Sequence, residues 1–222
     1  MGTEKKLPLS PEEMAALKSA AVCVVGCGGI GGYAIEFLLR LGVGLITAVD
    51  GDCFDDSNLD RQLYCTVSNS GENKALAASR RASLIAPEVC FHAACEYLDA
   101  KNSDELIAGC SVVIDGLDNA PARKLLAEAC FRAGIPLVHG AASGWTAQAA
   151  VFEKDNQPGS LFDILPPESG TLPFVPAYCA ALETAEAVKI ICGREPSFGG
   201  RLISADLLYG ERMVTELEKN EK

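Results

Sequence analysis

This sequence predicts a Rossmann-like, doubly wound α/β fold whose sheet is mainly parallel with antiparallel C-terminal strands, on three observations. Short apolar runs alternate with segments of helical periodicity through the first two thirds of the chain. The first apolar run ends in a glycine-rich turn that opens directly into a helix. No repeat and no shift in composition divides the 222 residues, a length within reach of a single domain.

The elements follow in order. Ser10-Pro11-Glu12-Glu13 has capping-box spacing with Pro at the first helical position, so a helix is expected over Pro11–Ser19. Ala21–Val25 is an apolar run closed by Gly26 and reads as a buried strand. Gly29–Leu41 sets Ile30, Ala34, Phe37, Leu38 and Leu41 on one helical face, with Gly42 as a stop. A strand at Leu45–Val49, a helix at 72–85, a strand at 89–93 and a short helix at 103–108 continue the alternation. Then come a strand at Val112–Asp115, a helix at Ala120–Ala133 closed by Gly134, and a strand at 136–139. Such βαβ units cross over right-handedly and put helices on both faces. From Ala147 the rhythm changes. Residues 147–153, 201–207 and 212–217 read as strands that extend the sheet, and 175–192 as a helix stopped by Gly193. Residues 155–174 form a loop rich in Pro and Gly, of a length that is usually functional or mobile.

Composition narrows the function classes. Apolar residues are 49% and charged residues 22%, enough apolar material for a core and too little charge for a disordered chain. The net charge of −11 argues against broad binding to nucleic acid or to an anionic membrane. It leaves room for one local cationic pocket. The N-terminus turns acidic before any apolar stretch, so no secretory signal is expected. The longest uncharged run, Ala20 to Ile35, is Gly-rich and a poor membrane span. Ten cysteines lie scattered with no CxxC pair, which reads as free thiols in a reducing cytoplasm.

The turn after the first strand carries Gly26, Gly28 and Gly31 at G-x-G-x-x-G spacing. Missing side chains let the backbone approach a phosphate, and the helix N-terminus offers amides and a positive dipole end. Asp50 ends the second strand, 19 residues after Gly31, where a carboxylate accepts from ribose hydroxyls. Asp52, two residues on, is a further candidate for binding the nucleotide. This much also fits an NAD(P) oxidoreductase. Arg61 and Lys74, thirteen residues apart, add two cations beyond what a pyrophosphate needs and suit a triphosphate. Asp118 stands just after the strand Val112–Asp115, where one carboxylate can hold Mg²⁺ while phosphates complete its shell. Asn119 has two readings, ligand contact or cap of the following helix. The expected organisation is one domain over 1–222, with a Rossmann-like nucleotide-binding core at 11–153, a crossover loop at 154–174 and a C-terminal helix and strands at 175–222.

The stretches VVGCGGIGG, VDGD, SNLDRQ, GENK, GLDNAPAR and ETAEAVK together resemble the ThiF/MoeB/HesA family, the bacterial relatives of ubiquitin-activating enzymes. The resemblance runs over about residues 12–193. It implies use of MgATP to adenylate the C-terminal Gly-Gly of a small ubiquitin-like sulfur carrier of the ThiS or MoaD type, in thiamine or molybdopterin synthesis, by a homodimer. On matching positions it implies that Asp50 holds the ribose and that Gly28 and Gly29 line the nucleotide. It likewise implies that Asn58, Arg61 and Lys74 face the triphosphate with Gln62 nearby, and that Asp118 binds Mg²⁺. Activation of another carboxyl or amide, as in tRNA dehydratases of the superfamily, and a non-catalytic nucleotide-dependent scaffold are the competing readings.

The sequence departs from the family pattern in three places. The paired CxxC motifs of many members are absent, so no zinc site is expected. The loop 155–174 contains no cysteine for a sulfur relay, which leaves Cys179 as a nucleophile or a buried thiol. The N-terminus has no Arg to complete a partner's site, only Lys5 and Lys6. His139 and His92 are read as structural, Trp145 as packing or as the wall of a tail channel, and 216–222 as a solvated charge run.

Overall fold

The computed structural model describes residues 7–154, 156, 158, 161–163 and 170–217. Lys5, Lys6, much of the 155–174 loop and residues 218–222 lie outside the described residues.

Helix α1 (Pro11–Ser19) starts on the expected capping box: the Ser10 hydroxyl accepts from the Glu13 amide, and Glu13 accepts from the Ser10 amide at 2.8 Å. Strand β1 (Ala21–Val25) alternates its side chains between two cores, Val22 and Val24 on one side, Cys23 and Val25 on the other. Helix α2 (Gly29–Leu41) ends on Gly42 in the left-handed conformation. After β2 (Leu45–Val49), α3 (Lys74–Ile85) starts two residues later than expected. Asn73 caps it, accepting from the amides of Ala75 and Leu76, which leaves Glu72 outside the helix. Strand β3 (Cys90–Ala94), helix α4 (Ser103–Leu106), β4 (Val112–Asp115) and α5 (Ala120–Ala133, closed by Gly134) complete the doubly wound part.

Strand β5 (Leu137–Ser143) runs four residues past its expected end at His139 and turns through Gly144 and Trp145 into β6 (Thr146–Phe152). The stretch Gly140-Ala141-Ala142 has weak strand propensity, but the glycine at 140 is dictated by packing. A Cβ on Gly140 would lie 2.5 Å from Glu183 Cδ and 2.7 Å from Cys179 Sγ, both on α6 (Phe174–Ile191). Strands β7 (Arg201–Asp206) and β8 (Glu211–Glu216) close the sheet.

The sheet has eight strands in the order β3-β2-β1-β4-β5-β6-β7-β8. The first five are parallel and the last three antiparallel, as the change of rhythm predicts. One face is covered by residues of α1, α2, α3 and α6, the other by α4, α5 and the 161–163 turn. Strand order reverses between β1 and β4, and that switch point opens a crevice at the carboxyl ends of β1, β2 and β4.

Candidate active site

A cleft lies in that crevice. Its wall runs from the glycine turn through Asp50, Asp52, Arg61, Gln62 and Lys74 to Asp118 and Asn119, and on to Ala141, Ala142, Thr146 and Gln148 of the β5–β6 hairpin. The glycines divide their work. Gly26 takes φ +92°, and a Cβ on Gly31 would lie 1.7 Å from the Gly26 carbonyl oxygen. These two let α2 cross the end of β1, and Gly31 does not line the cleft. Gly28 and Gly29 do line it, with ordinary space for a Cβ at both. Gly28 is the N-cap of α2 and supplies no side-chain cap, so the first amides of this 13-residue helix are left for an anion.

Asp50 closes the turn. One carboxylate oxygen accepts from the Cys27 amide at 2.7 Å and the other from the Asp52 amide at 2.9 Å. Burial raises its pKa above the ordinary carboxylate value and outweighs these two donors. Asp52 is shifted the other way. Lys74 Nζ donates to it at 2.6 Å and holds its carboxyl below the usual range. The Lys74 side chain is only 9% exposed, against 54% for Asp52. Asn73 ties this arrangement to the sheet by donating to the carbonyls of Asp50 and Asp52.

Arg61 reaches the cleft from the turn after the 3-10 segment Asp56–Asn58, with its Nη1 donating to the Ser57 carbonyl at 2.9 Å and to Asp60 at 2.8 Å. Gln62 lies against Gly28, and its buried Oε1 has no hydrogen-bond partner among the described residues. Asn58 is different from its expected role. It is 6% exposed and lies off the cleft wall, and its Oδ1 accepts from the Asp55 amide at 3.2 Å. It shapes the turn that presents Arg61 and does not face the cleft. Asp118 is exposed on the cleft. Asn119 both lines the cleft and caps α5, accepting from the Ala122 amide at 3.0 Å. Arg61, Lys74 and Asp118 therefore meet around one opening, together with Gly28, Gly29, Asp50, Asp52 and Gln62; Gly31 and Asn58 stand behind it.

Three residues were not legible as site residues. Arg123 lines the cleft from the first turn of α5. A cation there opposes the helix dipole, and that misfit was the available signal. Gln148 and Thr171 also face the cleft, each with a buried polar atom lacking a partner among the described residues; nothing in their sequence neighbourhood marks them. Cys179 is fully buried, with its thiol pushed well up by burial and lying 3.2 Å from the Gln148 carbonyl oxygen. That is the buried-thiol reading, not the nucleophile. His139 is structural, fully buried with its Nδ1 2.7 Å from Asp115. The Trp145 ring packs 5.4 Å from that of Phe174. Among the described residues no cluster of three or more His, Cys, Asp or Glu is placed to hold a metal ion.

An anion-receptive turn and paired cations at the switch point of a doubly wound sheet define a class, the α/β proteins that hold phosphorylated ligands at the carboxyl ends of their strands. The chain belongs to the ThiF family, which matches residues 5–222. It is 34% identical over 211 residues to a SAMP-activating enzyme E1 of Haloferax volcanii, covering 90% of this chain and 77% of the relative. It is 34% identical over 227 residues to a sulfur carrier protein adenylyltransferase of Thermus thermophilus, covering 96% and 84%. Against the adenylyltransferase and sulfurtransferase MOCS3 of Mus musculus it is 35% identical but spans 44% of the relative's length. The fold superposes on E. coli MccB in a crystal structure with MccA, with TM-score 0.84 at 19% identity, covering 94% of this chain and 67% of the other.

Proposed function

We propose that the whole chain is one adenylation domain that uses MgATP to adenylate the C-terminal glycine of a small ubiquitin-like sulfur carrier. The observation that carries this reading is the convergence of Arg61, Lys74 and Asp118 around the glycine turn, in a chain similar over most of its length to a sulfur carrier protein adenylyltransferase. The α2 amides at Gly28 and Gly29 receive phosphate, and Asp50 accepts from the ribose. Lys74 and Arg61 neutralise the charge that moves onto the leaving pyrophosphate. The carrier's carboxylate oxygen attacks the α-phosphorus, the bond to the bridging oxygen breaks, and pyrophosphate leaves with the electron pair. No proton moves in this step, so positioning and charge stabilisation supply the catalysis. The arm of the cleft along Ala141 and Ala142 is walled by small side chains and suits a thin Gly-Gly tail.

The donor set fits Mg²⁺: Asp118 offers an exposed carboxylate on the cleft that receives the phosphate oxygens. When bound, Mg²⁺ supplies charge neutralisation on the phosphates. A homodimer and a cytoplasmic location belong to the same reading. The ten cysteines are all free thiols, as a reducing compartment keeps them, and among the described residues no helix is long and apolar enough to cross a membrane. Thiamine or molybdopterin synthesis is the proposed context.

The test is exchange of labelled pyrophosphate into ATP. Exchange that requires both Mg²⁺ and a carrier ending in Gly-Gly is the expected result. Exchange with no carrier supporting it, or an absorbance change on addition of a nicotinamide cofactor, would falsify the proposal.

A further inference from the structure

Behind the loop that carries Asp118 lies a set of buried polar side chains that the adenylation step does not use. Asp115 ends β4 with no exposed surface, and His139 stands directly opposite it in the β4–β5 register. The two side chains meet at 2.7 Å through His139 Nδ1. Burial lowers the His139 pKa despite its acidic neighbour, and an Nδ1–H at this distance from the carboxylate donates to Asp115 Oδ2. That bond fixes the Asp115 rotamer. The other Asp115 oxygen then accepts from the Leu117 amide at 3.0 Å.

Arg123 completes the set from above. Its Nη2 donates to the Leu117 carbonyl at 2.6 Å and to the Gly140 carbonyl at 3.3 Å. Its Nε lies 3.6 Å from Asp115 Oδ2 and makes no hydrogen bond among the described residues. An arginine kept at 8% side-chain exposure, in a first helical turn that disfavours a cation, is an expensive way to stabilise a fold. What it achieves is local. Leu117 is gripped at both ends, its N–H by Asp115 and its C=O by Arg123, one residue before Asp118. The residue before it, Gly116, is held by its own amide on the Val25 carbonyl at 2.8 Å. Asp118 itself is exposed, and the bond it accepts from Asn119 is long, at 3.3 Å. Its placement on the cleft is therefore set by what grips the chain behind it.

We propose that Arg123 is a positioning residue, which bridges the Leu117 and Gly140 carbonyls over the Asp115–His139 pair and so fixes Asp118 on the cleft. This rests on the adenylation reading for its catalytic consequence, but not for its structural one. Lysine at this position keeps the charge but has one donor nitrogen, and it cannot reach the two carbonyls as Nη2 does while keeping a second N–H group beside Asp115 Oδ2 as Nε does. Glutamine at 139 can still present an N–H to Asp115, whereas leucine cannot.

The test uses the full chain. In Arg123→Lys, hydrogen exchange of the Leu117 amide accelerates at least tenfold while the β4 amides at 113–115 keep their protection. The pyrophosphate exchange rate falls about 10- to 100-fold, the scale seen when the support of a metal ligand is removed, and the Mg²⁺ concentration for half-maximal exchange rises. The KM for ATP changes less than kcat. His139→Leu moves all of these in the same direction, and His139→Gln restores them. Three results overturn the proposal: an unchanged Leu117 amide in folded Arg123→Lys, loss of protection spread evenly over the sheet, or His139→Leu and His139→Gln behaving alike. If Arg123→Lys does not fold, the two His139 variants decide. Wild-type protein with a protected Leu117 amide and no carrier-dependent exchange refutes the adenylation reading and leaves the positioning role standing.

Discussion

Lys74→Met separates a cation kept for ligand binding from one kept for the fold. The ammonium is 9% exposed and 2.6 Å from Asp52, whose side chain is 54% exposed. Removing it leaves a carboxylate that water can solvate, and it relieves the desolvation of a buried ammonium. The start of α3 keeps its cap, because Asn73 holds the amides of Ala75 and Leu76. The stability cost is then that of a half-exposed pair, about 1 kcal/mol or less. The functional cost is larger. Lys74 shares the cleft with Asp50, Asp52, Glu96 and Asp118, all acidic. A polyphosphate entering it without that cation meets a wall whose other cations among the described residues are Arg61 and Arg123, the latter engaged on the Leu117 and Gly140 carbonyls. Loss of one preorganised donor to developing charge typically costs about 2.7–4 kcal/mol, or roughly 10²- to 10³-fold in rate. Urea denaturation and carrier-dependent pyrophosphate exchange on the same preparation measure the two terms separately. Exchange within tenfold of wild type, or a stability loss above about 3 kcal/mol that accounts for the lost activity, refutes the reasoning.

Two glycines of one turn respond oppositely. Gly31→Ala drives a Cβ to within 1.7 Å of a backbone oxygen, so α2 must shift, and urea denaturation should show a loss of about 3 kcal/mol or more. Gly28→Ala meets only the Gln62 side chain, at 3.5 Å; it folds within about 1 kcal/mol of wild type and binds ATP more weakly by calorimetry. Glu183, fully buried with both carboxyl oxygens unpartnered among the described residues and facing Asp115, Arg123 and Cys179, has its carboxyl pushed well above the usual range by burial. The native chain then holds a proton that the unfolded chain releases above about pH 4.3, so stability falls as pH rises from there toward the raised native value. Glu183→Gln removes that slope of about 1.4 kcal/mol per pH unit, and its stability relative to wild type should climb in urea melts from pH 5 to 8. Parallel curves for the two proteins would contradict the assignment.

Much of the fold was legible because its signals are local. The Ser10–Glu13 capping box, the stops at Gly42 and Gly134, and the alternation of apolar runs each depend on a few neighbouring residues. The misreadings arose where packing or a side-chain bond, whether to a near or a distant part of the chain, decides. The strand was expected to end at His139 because Gly140, Ala141 and Ala142 favour no strand, and Gly140 is glycine because Glu183 and Cys179 of α6 lie against it. Asn58 sits inside a motif but bonds its own turn, and Gly31 completes a nucleotide fingerprint by making room for a helix.

From the sequence alone came the fold class, the parallel-to-antiparallel change, and the residue types expected around one nucleotide site: glycines after a first strand, an acid after the second, two cations and an acid after the fourth. These follow from periodicity and spacing, which are properties of chain order. Tertiary structure decided which of those residues face the cleft, buried the Cys179 thiol, and brought Arg123, Asp115 and His139 together behind Asp118. Strand register and helix packing join residues far apart in the chain, and no local pattern encodes the distance between them.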